Sequence, residues 1–327
     1  MANRVLLVTL LTACFSFGAD TKAQLQGPEL IAHAAVMQGI RDPGSKPFSL
    51  HMRIHAEHVV ARPVDGVYQE LWMAPEKWRR EIAFPGFQQL ELGDTDSKWL
   101  TRNLDFRPRA VYLTAIAIDI FSHPLVPDKH KLLKTRRKKV NGSELQCSEL
   151  AFEDGRPSGE LCFDDSGILS SARFQKHRYE YGDYVKFGDK IFPRSIRVFE
   201  EGRKVLEMSA DDLAVPQDAR AELFQHDDRA RRMASCERWA TWPSKKVAPH
   251  YPPDARAAHY EGTVVLYALL SADGQVEQTK VVRSAGSSLD EASNEAVRQW
   301  IYPPPTCGPV PLETEAEITV NYELQAF

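Results

Sequence analysis

Three groups of residues have types and spacings that could do chemistry: a set of cysteines, a histidine trio and a run of cations. The cysteines beyond the first residues are Cys147, Cys162, Cys236 and Cys307. An even number in an exported chain points to disulfides, with three connectivities formally open. Cys147 lies seven residues before Asp154, and Cys162 lies seven after Gly155. Asp-Gly is a favoured centre for a two-residue hairpin turn, because both central positions need positive φ. That turn sets Cys147 opposite Cys162, roughly 5.5 Å apart at Cα and within reach of a disulfide. By elimination Cys236 pairs with Cys307, closing a loop of about 70 residues worth roughly 4 kcal/mol of chain entropy. The chain has no Cys-x-x-Cys, so no metal or redox site is expected from these thiols.

His51 and His55 fall on one face of a period-two segment, about 13 Å apart at ~3.3 Å per residue. They cannot share an ion whose nitrogen ligands sit about 2 Å away, and His58 points elsewhere. A solvated strand face explains them. Lys129, Lys131, Lys134, Arg136, Arg137, Lys138 and Lys139 form the densest basic cluster. Anionic lipid headgroups would suit it, but an exposed strand and turn is the simpler reading. No Gly-x-Ser-x-Gly elbow, phosphate-binding Gly-rich loop or His-Glu-x-x-His occurs, so the chain reads as non-enzymatic and without a cofactor.

These residues must be positioned by a chain of 327 residues, 43% hydrophobic and 26% charged, with a formal charge of −4. Such a composition excludes wholly disordered and multi-pass membrane classes and suggests two domains. Nucleic-acid binding is not expected without a positive excess. From Thr241 onward 6 basic residues face 11 acidic ones, so the C-terminal stretch carries the negative balance.

Met1 to Arg4 followed by the apolar Val5–Ala13 has the layout of a secretory signal peptide, cleaved after Gly18 or Ala23. It falls short of the about 20 apolar residues that span a bilayer. Leu11-Thr12-Ala13-Cys14 also resembles a lipoprotein lipobox, in which Cys14 would be lipidated. Either route exports the protein.

Pro28 to Ile40 has helical spacing, and Phe48 to Ala56 alternates with period two. Strands follow at Val67–Met73, Trp78–Phe84, Phe87–Leu92 and Lys98–Thr101, an antiparallel meander. Ala110–Phe121 reads as a buried helix, with a strand as the alternative. Further strands run from Lys131 to Leu213, and Asp218–Trp242 is polar, without a periodicity that demands a core. Near the C-terminus, Gly262–Leu270 and Val276–Ser284 are strands. Ser288-x-x-Glu291 is a capping box opening a helix, which Pro303-Pro304-Pro305 stops. The last strand alternates Ala316, Ile318, Val320, Tyr322 and Leu324 inward with Glu315, Glu317, Thr319, Asn321 and Glu323 outward. A right-handed crossover places that strand beside the first, at a sheet edge with free N–H and C=O groups. The fold expected is α+β: a signal peptide at 1–23, an antiparallel β-rich half-barrel with helices at 24–216, a linker at 217–240 and a small ββαβ domain at 241–327.

Pro249-His250-Tyr251-Pro252, Glu261-Gly262-Thr263-Val264-Val265, Asp273-Gly274, Val281-Val282-Arg283-Ser284, Leu289-Asp290-Glu291-Ala292, Ala296-Val297 and Trp300 with Pro303 resemble the C-terminal domain of TonB-type energy transducers. The resemblance implies a periplasmic domain that captures a peptide of an outer-membrane transporter, or of another envelope protein, by strand addition. Its binding edge would be Glu315, Ala316, Glu317, Ile318, Thr319, Val320, Asn321, Tyr322 and Glu323, with Pro249, His250, Tyr251 and Pro252 nearby. Two features depart from the family: a short leader and folded domain replace the membrane helix and Pro-rich spacer, and Ala248 stands where some members have glutamine. The first domain has a looser resemblance to LolA-like and RseB-like half-barrels, through Gly66-Val67-Tyr68, Met73-Ala74-Pro75, Trp78-Arg79-Arg80-Glu81-Ile82 and Trp99. That resemblance implies a lipophilic ligand on a concave sheet. The alternative function is therefore a lipid or lipoprotein carrier whose C-terminal domain serves homodimerisation.

Overall fold

A computed structural model of the chain describes residues 25, 27–59, 62–93, 97–119, 130–152, 155–174, 176–235, 242–304 and 310–324. The leader with Cys14, Lys129, Asp154, Cys236 and Cys307 lie outside the described residues. The expected signal peptide, lipidation and Cys236–Cys307 bridge therefore stand on sequence alone.

The chain opens with helix α1 (Pro28–Gln38), whose proline stands where a missing N–H costs nothing. A meander follows: β1 (Phe48–Ala56), β2 (Val64–Ala74), β3 (Lys77–Phe84), β4 (Phe87–Gly93) and β5 (Ser97–Arg102). Helix α2 (Arg109–Asp119) buries Val111, Leu113, Thr114, Ala117 and Ile118, which settles its apolar run as helix rather than strand. Seven more strands then run back and forth: β6 (His130–Val140), β7 (Ser143–Phe152), β8 (Pro157–Phe163), β9 (Leu169–Phe174), β10 (His177–Phe187), β11 (Lys190–Glu200) and β12 (Arg203–Ala214). The first turns of this series use Asn141 and Gly142, both at positive φ, as a tight hairpin requires.

All these strands join one antiparallel sheet, with β1 and β12 paired at its middle. Leu50, Met52 and Ile54 of β1 share a core with Tyr68, Trp72, Ile196, Val198, Leu206 and Met208. Leu30 and Ala34 of α1 and Leu113 and Ala117 of α2 cover that face. Within it Glu70 accepts from Arg41 Nε at 2.8 Å and from Tyr68 Oη at 2.8 Å. Arg80 spans from Glu70 at 3.1 Å to Asp119 at 2.9 Å, tying the end of α2 to the sheet.

The stretch expected as a linker is partly structured. Strand β13 (Arg231–Ala234) pairs with β5 and adds an edge to the larger sheet. Burial of Met233 beside Leu100 makes these four residues a strand, a contact the polar local sequence does not announce.

Helix α3 (Pro253–Ala257) precedes β14 (Gly262–Leu270), β15 (Val276–Arg283), helix α4 (Ser287–Val297) and β16 (Thr314–Tyr322). Among the described residues the smaller sheet has the order β15-β14-β16. Val264, Leu266 and Ala268 of β14 face α4 with Ile318, Val320 and Tyr322 of β16. Tyr267 and Leu269 face the other way, which explains the unbroken apolar run of β14.

Two details of α4 differ from expectation. The Ser288–Glu291 capping box does not form. Instead Asp290 accepts from Ala285 N at 3.0 Å and from Ser284 Oγ at 2.5 Å, and α4 starts at Ser287. The helix also ends at Val297, well before the prolines, because Ile301 leaves to exchange main-chain bonds with Lys245 at 3.1 and 3.0 Å.

The pairing expected of the first two cysteines holds, although Phe152 N donates to Arg156 O at 2.9 Å, one step out of the register that a two-residue Asp154-Gly155 turn would give. Cys147 and Cys162 are disulfide-bonded and opposed in register, with Cα atoms 4.0 Å apart. The separation is that of a non-hydrogen-bonded pair rather than a bonded one. A bulge between Leu150 and Ala151 shifts the ladder phase and accounts for the difference.

Candidate functional site

Strand β16 is the residue set from which a site can be built. It pairs with β14 along its length, from Thr314 opposite Leu270 to Tyr322 opposite Gly262. Its other flank carries no strand among the described residues. One main-chain bond touches the start of that region, from Ala234 N to Glu313 O at 2.8 Å.

The side chains expected to point outward do not all meet water. Glu315 and Glu317 face the larger sheet, and Glu315 is 3% exposed. Glu315 pairs with Arg102, faces Arg107 Nη1 at 3.4 Å and accepts from Tyr267 Oη at 2.8 Å. Glu317 meets Arg109 Nε at 3.3 Å, and Asn321 accepts from Lys176 Nζ at 2.8 Å. These contacts join the two sheets together with an apolar patch of Leu100, Met233, Tyr267 and Leu269, against which Phe106 and Val282 pack. The glutamates are thus interface anchors. Thr319 remains exposed.

Arg109 explains how one cation serves two carboxylates. It gives two bonds of 2.7 Å to Glu200 of β11 and a single longer one to Glu317. Burial pushes Glu200 up, but the hydrogen bonds and charge of Arg109 outweigh it and leave this carboxyl below its usual range. For Glu317 burial dominates, and the single contact does not offset it, so its pKa is pushed up to about 7. His177 lies 3.2 Å from the same guanidinium, and burial and that charge lower it to about 4. Between about pH 4.5 and pH 6.5 the proton therefore sits on Glu317 rather than on the imidazole.

Beside β16 the two sheets leave a groove of about 510 Å³. Ala316 to Thr319 form one side of it, and Phe152, Pro157, Ser158 and Gly159 of β7 and β8 face them with Arg173. Trp242, Lys246, Trp300 and Tyr302 complete its lining. Trp300 is fixed by donation from Nε1 to Val247 O at 2.7 Å, and Lys246 Nζ lies 4.9 Å over its ring. At the mouth Arg156 reaches across to sit 4.8 Å over Trp242. Ser158 Oγ is buried and has no hydrogen-bond partner.

The structure brings part of the expected site together. Glu315 to Tyr322 form β16 and Glu323 follows it, but the Pro249–Pro252 segment does not line the groove. Tyr251 packs edge-on against Tyr322, with ring centres 5.4 Å apart, at the far end of the strand. Sequence reasoning missed Trp242, Lys246 and the wall from β8. An exposed tryptophan closing a polar stretch was the one local signal for them.

Other candidates resolve into bland roles. His51 and His55 are solvent-facing and lie by Asp211 and Asp65 at 3.4 and 2.7 Å. In the basic cluster Arg136 pairs with Glu149 at 2.6 Å, Arg137 with Asp165 at 2.7 Å, and Lys138 with Glu160. Cys147, Cys162 and Glu160 lie close together, but the disulfide occupies both sulfurs. No helix among the described residues is long and apolar enough to cross a membrane.

With this geometry in hand, comparison with known proteins locates the family likeness. Residues 247–324 match the Gram-negative bacterial TonB protein C-terminal family. The chain is 34% identical over 83 residues to protein TonB of Vibrio cholerae. That match covers 25% of this chain and 34% of the relative, so the chain spans about a third of that protein's length. Solved structures show weaker likenesses to the chain. A LolA superfamily protein of Nitrosomonas europaea is 12% identical, with 62% of this chain and 98% of that chain covered and a TM-score of 0.36. The crystal structure of MucB is 9% identical, with 81% and 96% covered and a TM-score of 0.32.

Proposed function

We propose that this chain is a non-enzymatic protein of the bacterial envelope, exported to the periplasm, that docks an extended segment of a partner in transport or assembly across the outer membrane. Residues 24–216 would form the half-barrel body, and 241–327 a ββαβ domain whose last strand accepts the partner by strand addition. The observation that carries this reading is the outer flank of β16, which carries no strand among the described residues and opens into the groove. Main-chain N–H and C=O groups on such a flank pair with an extended peptide whatever its side chains. The TonB likeness of 247–324 supports the same direction.

The test is to titrate N-terminal box peptides of outer-membrane transporters into the full chain and follow binding by calorimetry. Cross-linking adds the register: Thr319→Cys should form a disulfide with a peptide cysteine at one position and not at its neighbours, since side chains alternate faces along a strand. Saturable binding with a single cross-linked register supports docking. Absence of binding, with lipid copurifying or the chain dimerising through this edge, would favour the carrier reading instead.

A further inference from the structure

We propose that the groove beside β16 selects an acidic extended segment and grips it from both sheets, so that the larger sheet contributes to specificity as well as to support. This deepens the docking reading and rests on it.

Charge is the first reason. Arg173 and Lys246 line the groove and Arg156 stands at its mouth over Trp242. Glu317 is the carboxylate among the lining residues, and it is engaged by Arg109. Arg173 is 59% exposed at its side chain and meets Glu160 at 3.5 Å, a carboxylate that also pairs with Lys138. Lys246 is exposed beyond its stacking on Trp300. The groove is therefore locally positive, although the C-terminal stretch around it is acidic by composition. An incoming acidic segment therefore meets a cation on the larger sheet's side and one on the C-terminal side.

The second reason is independent of charge. Trp242, which lines the groove, is 56% exposed and offers an apolar face to an alternate side chain of the same segment. The occupant is thus an extended peptide with an acidic residue facing Arg173 and Lys246 and an apolar residue against Trp242.

The experiment uses the full chain and labelled peptides of nine residues, the length of β16. They are built of threonine and valine with glutamate, glutamine or lysine at the centre, and binding is read by fluorescence anisotropy at low and high salt. The glutamate peptide should bind about tenfold tighter than the lysine peptide at low salt, with a smaller margin at high salt. Lys246→Glu with Arg173→Glu should invert the order, and Lys246→Glu alone should narrow it. Arg173→Gln, a change on the larger sheet, should weaken the glutamate peptide by about threefold or more. Equal binding of all three peptides would overturn acid selection while leaving strand docking intact. Unchanged affinity of the glutamate peptide in Arg173→Gln would overturn the grip from both sheets. Failure of every peptide to bind would remove this proposal and the docking reading together.

Discussion

Replacing Glu317 with glutamine should turn a level acid-stability profile into a sloped one. In the folded protein Glu317 titrates at about 7 against an ordinary 4.5, and His177 at about 4 against an ordinary 6.5. Between about pH 4.5 and pH 6.5 the folded protein holds a proton on Glu317 and none on His177, while the unfolded chain does the reverse. Both states bind one proton at this pair, so the pair gives stability no slope across the window. The signs are opposed. The raised Glu317 contributes stability that is full below about 4.5 and lost as pH rises through about 7. The lowered His177 contributes stability that is full above about 6.5 and lost as pH falls through about 4. Removing the carboxyl leaves the unfolded state with one extra proton, so stability should rise by about 1.4 kcal/mol per pH unit, or ~3 kcal/mol across the window. His177→Gln should give a slope of similar size and opposite sign. Glu70, held at about 2 where Arg41 and Arg80 outweigh its burial, titrates below this range and does not disturb it. Urea unfolding followed by tryptophan fluorescence at three pH values across the window measures both slopes. A Glu317→Gln profile that runs parallel to the parent would refute the assignment of the proton to Glu317.

Two further outcomes follow from the fold. Cys147→Ser should lower stability by about 3 kcal/mol, since the bridge closes a loop with a sequence separation of 15. Urea melts of the variant, set beside melts of the reduced parent, check this, and equal midpoints for oxidised parent and variant would contradict it. Gly274→Ala should cost at least about 2 kcal/mol. Gly274 sits at φ +85° in the turn between β14 and β15, and a Cβ there would lie 1.9 Å from Tyr302 O. A thermal shift within error of the parent would show that the turn relaxes freely.

Local pattern carried much of the architecture. The alternation from Phe48 to Ala56 and the run of Gly262–Leu270 each reported the conformation of their own segment. The opposition of Cys147 and Cys162 was readable because a hairpin links sequence distance to spatial register. The short β13 was not readable, because four residues with one buried methionine carry too little periodicity to stand out from a polar stretch. The capping box was misread for a related reason: Asp290 satisfies the turn before α4, and several caps are compatible with Ser and Asp at these positions.

The sequence by itself determined that β16 is an amphipathic strand at a sheet edge, since alternation and crossover handedness are properties of the chain over short range. It left open what the polar face of that strand meets. Glu315 and Arg102 are 213 residues apart, and each alone has the pattern of an ordinary exposed charge. Only the packing of the two sheets puts them in one buried cluster, moves a proton from His177 to Glu317 and leaves a groove walled by β8 and Trp242. Charge pairing across such distances depends on where every intervening element folds, so no local periodicity records it.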